Sequence, residues 1–237
     1  MRLVVSGSGT GVGKTFVTAA LGLALSERLI TVTAIKPVES GADTVPPDLR
    51  DGFVIAAATH QVEPLEALTI LSRPVAPPVA ADEEGRILEW SNWLKCIESS
   101  STDVVLIEGA GGLLSPLTWS KTSRDLAIEL SAPVLIVASD QLGVLNSVLL
   151  SIAVATSAGV EVLGVVFSAP STPDESTGSN AAALEKFLLA TPWQLGAAGI
   201  MSLPRCAYLR DAVAHLQKLV GVLSRGEGSP LPAPVER

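Results

Sequence analysis

Apolar, β-type runs recur at Leu3–Val5, Ile30–Ile35, Val104–Ile107, Val134–Val137 and Val162–Phe167. Runs rich in Val, Ile and Leu are typical of strands buried on both faces. Between them apolar residues recur at helical spacing over Thr15–Arg28, Ile87–Ser99, Arg124–Leu130, Leu145–Ala158 and Asn180–Leu189. A last helix, Tyr208–Leu223, carries Leu209, Val213, Leu216, Val220 and Leu223 along one face. Alternation of this kind predicts an α/β fold. The expected architecture is a three-layer, mostly parallel sheet with helices on both faces, joined by right-handed crossovers. Such sheets gather their ligands at the carboxyl ends of the strands.

Two segments interrupt the alternation. Glu39–Asp51 and Arg73–Gly85 hold Gly and Pro and read as loops, the second ending in the acidic turn Asp82-Glu83-Glu84. Residues 226–237 read as a flexible tail, which leaves 1–225 as one domain without internal repeats.

Composition narrows the setting. A chain of 237 residues that is 48% apolar can bury a large core, and with only 4% aromatics that core is aliphatic. A net charge of -8 without basic clusters argues against nucleic acid. The stretch Val144–Val166 is the most hydrophobic, yet Asn146, Ser147, Ser151, Gly159 and Glu161 break it, so helix then strand explains it better than a membrane span. Cys96 and Cys206 match no disulfide or metal pattern, and the chain opens directly on a strand pattern, so a reducing cytoplasm is expected.

Every strand end carries chemistry. The first run leads into Gly7-Ser8-Gly9-Thr10-Gly11-Val12-Gly13-Lys14-Thr15 and then a helical pattern. Strand, glycine-rich loop, Lys-Thr and helix form a phosphate cradle of the P-loop NTPase type. Lys14 reaches toward terminal phosphates of a nucleotide, and the Thr15 hydroxyl suits magnesium. The second run ends in Lys36-Pro37-Val38-Glu39-Ser40-Gly41, which brings a lysine to the ligand edge. The third delivers Glu108 to Gly109-Ala110-Gly111-Gly112, a carboxylate placed for magnesium opposite a phosphate loop. The fourth leads to Gly143-Val144-Leu145-Asn146, a helix start whose free N–H groups suit a carboxylate. His60 and His215 have no nucleophile near them in the pattern and read as solvated or packed side chains.

The order GxxxxxGKT, KPVxSG, EGAGG and LGxLN resembles dethiobiotin synthetase, over about residues 2–224. The resemblance implies closure of a cyclic urea on 7,8-diaminononanoate from carbon dioxide and ATP with Mg2+. The implied steps are a carbamate, then a carbamic–phosphoric anhydride, then attack by the second amine. It makes Lys36, Lys14 and Thr10 the catalytic candidates. Gly11, Val12, Gly13, Lys14, Thr15, Phe16, Glu108, Ser168 and Pro204 would hold the nucleotide. Ser40, Gly111, Gly112, Gly143, Val144, Leu145, Asn146 and Asn180 would border the substrate. It implies a homodimer, with the substrate carboxylate and Asn180 meeting across its interface. Thr15, Glu108 and an aspartate would hold the metal. Asp48 and Asp51 both offer that aspartate, and the helical pattern through Leu49 and Val54-Ile55-Ala56 favours Asp48.

The chain departs from that family in two places. Gly11 stands where some relatives have Glu, and Ser168-Ala169-Pro170 stands where adenine-selective relatives have Asn-Asp. Other triphosphates are therefore expected to serve alongside ATP. Gly9, where partition-type ATPases carry a lysine, argues against that class. The length leaves no room for the glutaminase domain of a corrinoid diamide synthase, and a nucleotide-binding protein without turnover is the remaining alternative.

Overall fold

The computed structural model describes residues 1–225, and the segment read as a tail lies outside them. The first half holds β1 (Arg2–Gly7), α1 (Lys14–Ser26), β2 (Val32–Ile35), β3 (Glu39–Ser40), α2 (Asp51–Thr59), β4 (Ile70–Leu71), α3 (Pro77–Glu83) and α4 (Trp90–Ser99). The second holds β5 (Val104–Gly112), α5 (Ser123–Glu129), β6 (Val134–Ser139), α6 (Val144–Ser157), β7 (Val162–Ser168), α7 (Asn180–Leu189), β8 (Gly199–Leu203), α8 (Leu209–Val213) and α9 (Gln217–Arg225).

Six strands form one parallel sheet in the order β2-β5-β1-β6-β7-β8, and β3 pairs with β4 in a separate two-stranded ribbon. Strand residues alternate between two cores because successive side chains point to opposite faces. Leu3, Val5, Leu106, Leu135 and Val137 pack with α1, α2, α8 and α9. Val4, Val105, Ile107, Val134 and Ile136 pack with α4, α5, α6 and α7 on the other side. All but Val105 of these ten are fully buried. Each such side chain stabilises the fold by about 1.5–3 kcal/mol relative to exposure. Parallel pairing on this scale is possible because helices cover both faces.

Two expectations change and one strand is added. The second loop contains α3, whose Pro77 and Pro78 open a helix, a place where proline's fixed φ is favourable. Tyr208–Leu223 is not one helix: α8 gives way to a 3-10 turn at Ala214–Leu216 before α9. Gly199–Leu203 is the sixth strand, paired with β7 along Gly164–Ser168. The open edge at β2 is closed by a side chain. The Gln61 carboxamide accepts from Ala34 N at 2.6 Å and donates to Ala34 O at 3.0 Å, as a neighbouring strand would.

Candidate functional site

The site lies at the carboxyl ends of β1, β5 and β2, where the strand order places the first strand in the middle of the sheet. After β1 the loop folds back tightly. A side chain at Gly7 would stand 2.5 Å from Gly9 O, so only glycine fits. Gly13, at φ 95°, enters α1 from the left-handed region, which glycine adopts without strain. Its helix has no side-chain cap and no acidic residue in its first turn, which leaves a positive dipole end for an anion. Lys14 is buried and its Nζ donates to Gly9 O at 3.2 Å. Burial pushes its pKa down, the nearby Lys36 pushes it further, and Glu108 and Asp51 only partly offset them.

Four side chains from four elements meet beside the loop. Lys36 follows β2 and sends its Nζ to Glu108 Oε1 at 2.6 Å and Asp51 Oδ2 at 2.7 Å. The Thr15 hydroxyl lies 2.7 Å from Asp51 Oδ1 and 2.9 Å from Glu108 Oε1. Strand alternation puts Lys36 and Glu108 on the face that carries α1 and α2, two residues beyond Ala34 and Leu106 respectively. Lys36 is 3% exposed and Glu108 has no exposure. Burial alone would lower the Lys36 pKa, but the two carboxylates outweigh it and hold the lysine firmly protonated. Burial pulls the Asp51 carboxyl upward, and the Lys36 charge, the hydrogen bonds from Lys36 and Thr15 and the Lys14 charge together more than reverse this, so the carboxyl sits below its ordinary range.

The expectation of Asp48 is corrected here. Asp48 lies exposed in a 3-10 turn, Pro47–Leu49, and Arg50 is extended at ψ 145°. The helix starts only at Asp51, so Asp51 is the residue whose side chain points to Thr15 and Lys36. Glu108 also differs from its expected setting. It lies within β5 rather than in a turn, since pairing continues to Gly112 beside Gly7.

The oxygens of Thr15, Asp51 and Glu108 fit a hard divalent cation. A threonine hydroxyl has one proton to share between two carboxylates. Glu108 Oε2 is buried and has no hydrogen-bond partner among the described residues. No group of three His, Cys, Asp or Glu suited to a metal exists among the described residues. Two carboxylates and a hydroxyl match Mg2+, which keeps waters and takes phosphate oxygens as further ligands.

Two cavities open from the loop. One of about 770 Å³ is lined by Thr10–Phe16, Lys36, Val38, Glu39, Ser40, Asp51, Pro74–Pro77, Ala110, Gly111, Ser115 and Pro116. That volume suits a small-molecule ligand. The other, about 300 Å³, is lined by Gly11–Gly13, Phe16, Ser139, Ser168–Ser171 and Pro204–Cys206. Thr10, Ser40 and Gly111 line the larger cavity, and Ser168 and Pro204 line the smaller one. Gly112 is spent on structure, its N–H bonding Ser115 Oγ at 2.8 Å. Gly143–Asn146 start α6 and line neither cavity. Sequence reasoning missed Ser115 and the Pro74–Pro77 wall. It also missed the chemistry of Glu39, though its carboxylate inside the KPVES motif was a visible signal.

Asn180 departs from its expected role. It is 5% exposed at the start of α7, and its amide donates to Asp140 Oδ1 at 2.7 Å and Ser176 O at 3.1 Å. Those bonds hold it inside its own chain and leave it off the outer surface. The same loop supplies Asp174, which accepts from Leu142 N at 2.8 Å and so fixes the turn before α6. No helix among the described residues is long and apolar enough to cross a membrane.

Comparison with known proteins completes the picture. A family model described as an AAA domain matches residues 1–194. The ATP-dependent dethiobiotin synthetase BioD of Anaeromyxobacter dehalogenans is 36% identical over 202 residues, 81% of this chain and 90% of its own. The protein of the same name from Frankia casuarinae is 35% identical over 230 residues, 95% of each chain. Among solved structures, the cell-division ATPase MinD of Pyrococcus furiosus superposes with a TM-score of 0.56 at 19% identity, covering 95% of this chain and 99% of its own. At that identity the likeness carries the fold alone, a three-layer α/β architecture of the P-loop NTPase type.

Proposed function

The chain belongs to the dethiobiotin synthetase family and is an ATP-dependent ligase, and from that premise we propose how its residues carry out the reaction. The observation that carries the proposal is the convergence of Thr15, Asp51 and Glu108 on one point, with Lys36 bridging the two carboxylates.

One amine of 7,8-diaminononanoate adds to carbon dioxide and loses a proton, giving a carbamate. A carbamate oxygen attacks the γ-phosphorus of ATP, and the bond to the β-phosphate oxygen breaks to release ADP. The second amine attacks the carbonyl carbon of the mixed anhydride, the carbon–oxygen bond to phosphate breaks, and the amine loses its proton as the ring closes. Each step needs positioning and charge neutralisation more than a strong base.

Lys14 neutralises the phosphates from within the loop, and Lys36 stabilises negative charge on the carbamate and on the phosphoryl group in flight. Thr10 and the backbone from Gly11 to Phe16 cradle the phosphates. Thr15, Asp51 and Glu108 would hold Mg2+, whose charge offsets that of the phosphate oxygens when it is bound. Ser40 and Gly111 border the diamine in the larger cavity, and Ser168 and Pro204 border the base in the smaller one. Residues 1–225 act as one domain.

The homodimer reading is supported by α6. Leu142 and Leu150 are 83% and 58% exposed, and no residue from Val144 to Ser157 is charged. A helix without charges that exposes Leu150, with Leu142 just ahead of it, suits burial against a second copy. The start of that helix, entered through Gly143 at φ 87° with no side-chain cap, suits the substrate carboxylate.

The test is phosphate release from ATP measured with and without diaminononanoate and bicarbonate. The proposal expects release to depend on both. Release at the same rate without the diamine would count against it.

A further inference from the structure

Glu39 sits in the two-stranded ribbon, its N–H bonded to Thr69 O at 2.9 Å, and is 8% exposed. Its carboxylate turns away from the neighbouring strand to the start of α2. Oε1 accepts the N–H of Asp51 at 2.7 Å, and Oε2 accepts the N–H of Gly52 at 3.0 Å. The residue that locally caps this helix, Arg50, supplies no side-chain cap. The two orphan donors are therefore satisfied from twelve and thirteen residues away in sequence.

We infer that Glu39 is a positioning residue, which fixes the start of α2 and thereby the place where Asp51 presents its oxygens beside Thr15. The inference rests on the reading of Asp51 as a metal-holding residue. The rest of α2 leaves little slack for another arrangement. A side chain at Gly22 would stand 2.5 Å from Thr59 Cγ2, and one at Gly52 would stand 2.3 Å from Ala67 N. The helix is thus wedged along its length, and the Glu39 carboxylate sets its end. Asp51 carries both roles at once: its backbone receives the cap while its side chain receives Thr15 and Lys36. A displaced cap moves the metal-facing oxygens with the backbone.

The experiment uses the full chain with ADP and titrates Mn2+ by electron paramagnetic resonance, beside calorimetric titration of ADP without metal. Glu39→Ala is expected to weaken Mn2+ binding about tenfold, the scale seen when the outer partner of a metal ligand is lost. ADP binding without metal should stay close to that of the unchanged chain. Placing a local cap by Arg50→Asp in the Glu39→Ala background should recover most of the Mn2+ affinity. If Glu39→Ala does not fold, the isosteric Glu39→Gln, which keeps one carbonyl acceptor, should weaken Mn2+ in the same direction by less.

Unchanged Mn2+ binding in the folded Glu39 variant, with Asp51→Asn impaired, would overturn the positioning role and leave the Asp51 reading intact. Equal loss of Mn2+ and metal-free ADP binding would also overturn it, since that is general damage to the fold. Unchanged Mn2+ binding in Asp51→Asn would overturn the metal reading and this inference together.

Discussion

The Lys36 ammonium lies 2.6 Å from Oε1 of Glu108, a carboxylate with no solvent exposure whose other oxygen has no partner among the described residues. Removing the lysine would leave a bare buried charge. Lys36→Ala is expected to cost about 3–5 kcal/mol of stability, the range for breaking a buried pair from one side. It should also cripple turnover while ATP still binds through the loop. Thermal melting with and without Mg·ADP checks the first point: the cation should restore part of the lost stability. Because the folded lysine's pKa is raised above 10.5, the ammonium stays charged throughout the neutral range, and a neutral-range pH scan will not reveal the pair.

Asp51 and Asp48 should separate cleanly in kinetics. Asp51→Asn is expected to lower kcat/KM by about 10–100-fold and raise the Mg2+ concentration needed for half-maximal rate. Asp48→Asn, an exposed change outside the site, should leave turnover as it was and stability within about 0.5 kcal/mol. Steady-state rates over a magnesium series distinguish the two.

Base discrimination should be weak. The smaller cavity offers Ser139, Ser168 and Ser171 hydroxyls and the Ala169–Pro170 edge, with no Asn or Asp side chain to read adenine. CTP and GTP are expected to support turnover within about tenfold of ATP, a gap of about 1.4 kcal/mol. Strict dependence on ATP, measured as kcat/KM for each triphosphate, would sink this expectation.

The turn before α6 should respond to acid. Asp174 accepts from the Ser176 hydroxyl and from Leu142 N, and these bonds lower its pKa from 3.8 to about 2. A depressed carboxylate contributes stability that is present above 3.8 and lost as pH falls through about 2. Asp174→Asn should therefore be less stable than the unchanged chain at pH 7, and the difference should vanish near pH 2. Urea midpoints at the two pH values check this.

Assembly should depend on α6. Leu150→Asp puts a charge on the exposed side of this uncharged helix and is expected to shift the protein from dimer to monomer in sedimentation velocity. Substrate-dependent phosphate release should fall in parallel. A variant that stays dimeric would move the interface elsewhere.

Much of the sheet was legible because Val, Ile and Leu runs leave little ambiguity about strands buried on both faces. Lys36 and Glu108 were legible for the same reason: each directly follows such a run, so their place at the ligand edge comes with the strand. Asp51 was not, because helical periodicity in Val54-Ile55-Ala56 fixes the body of α2 and says nothing about where its first turn begins. The extended Arg50 decides that, and it is a backbone property with no side-chain signature. The strand Gly199–Leu203 escaped because it is short and lies at an edge, with Ser202 exposed and only Met201 and Leu203 buried. Asp140 and Asn180 pair across forty residues that include α6 and β7, a separation no local pattern spans.

The Gln61 carboxamide gives the sheet a last rung that belongs to no strand. A parallel sheet with a bare border can recruit another chain's backbone and grow without limit; here the final donor and acceptor at Ala34 are already answered by a single amide group. Any second copy is thus steered away from extending the sheet past β2.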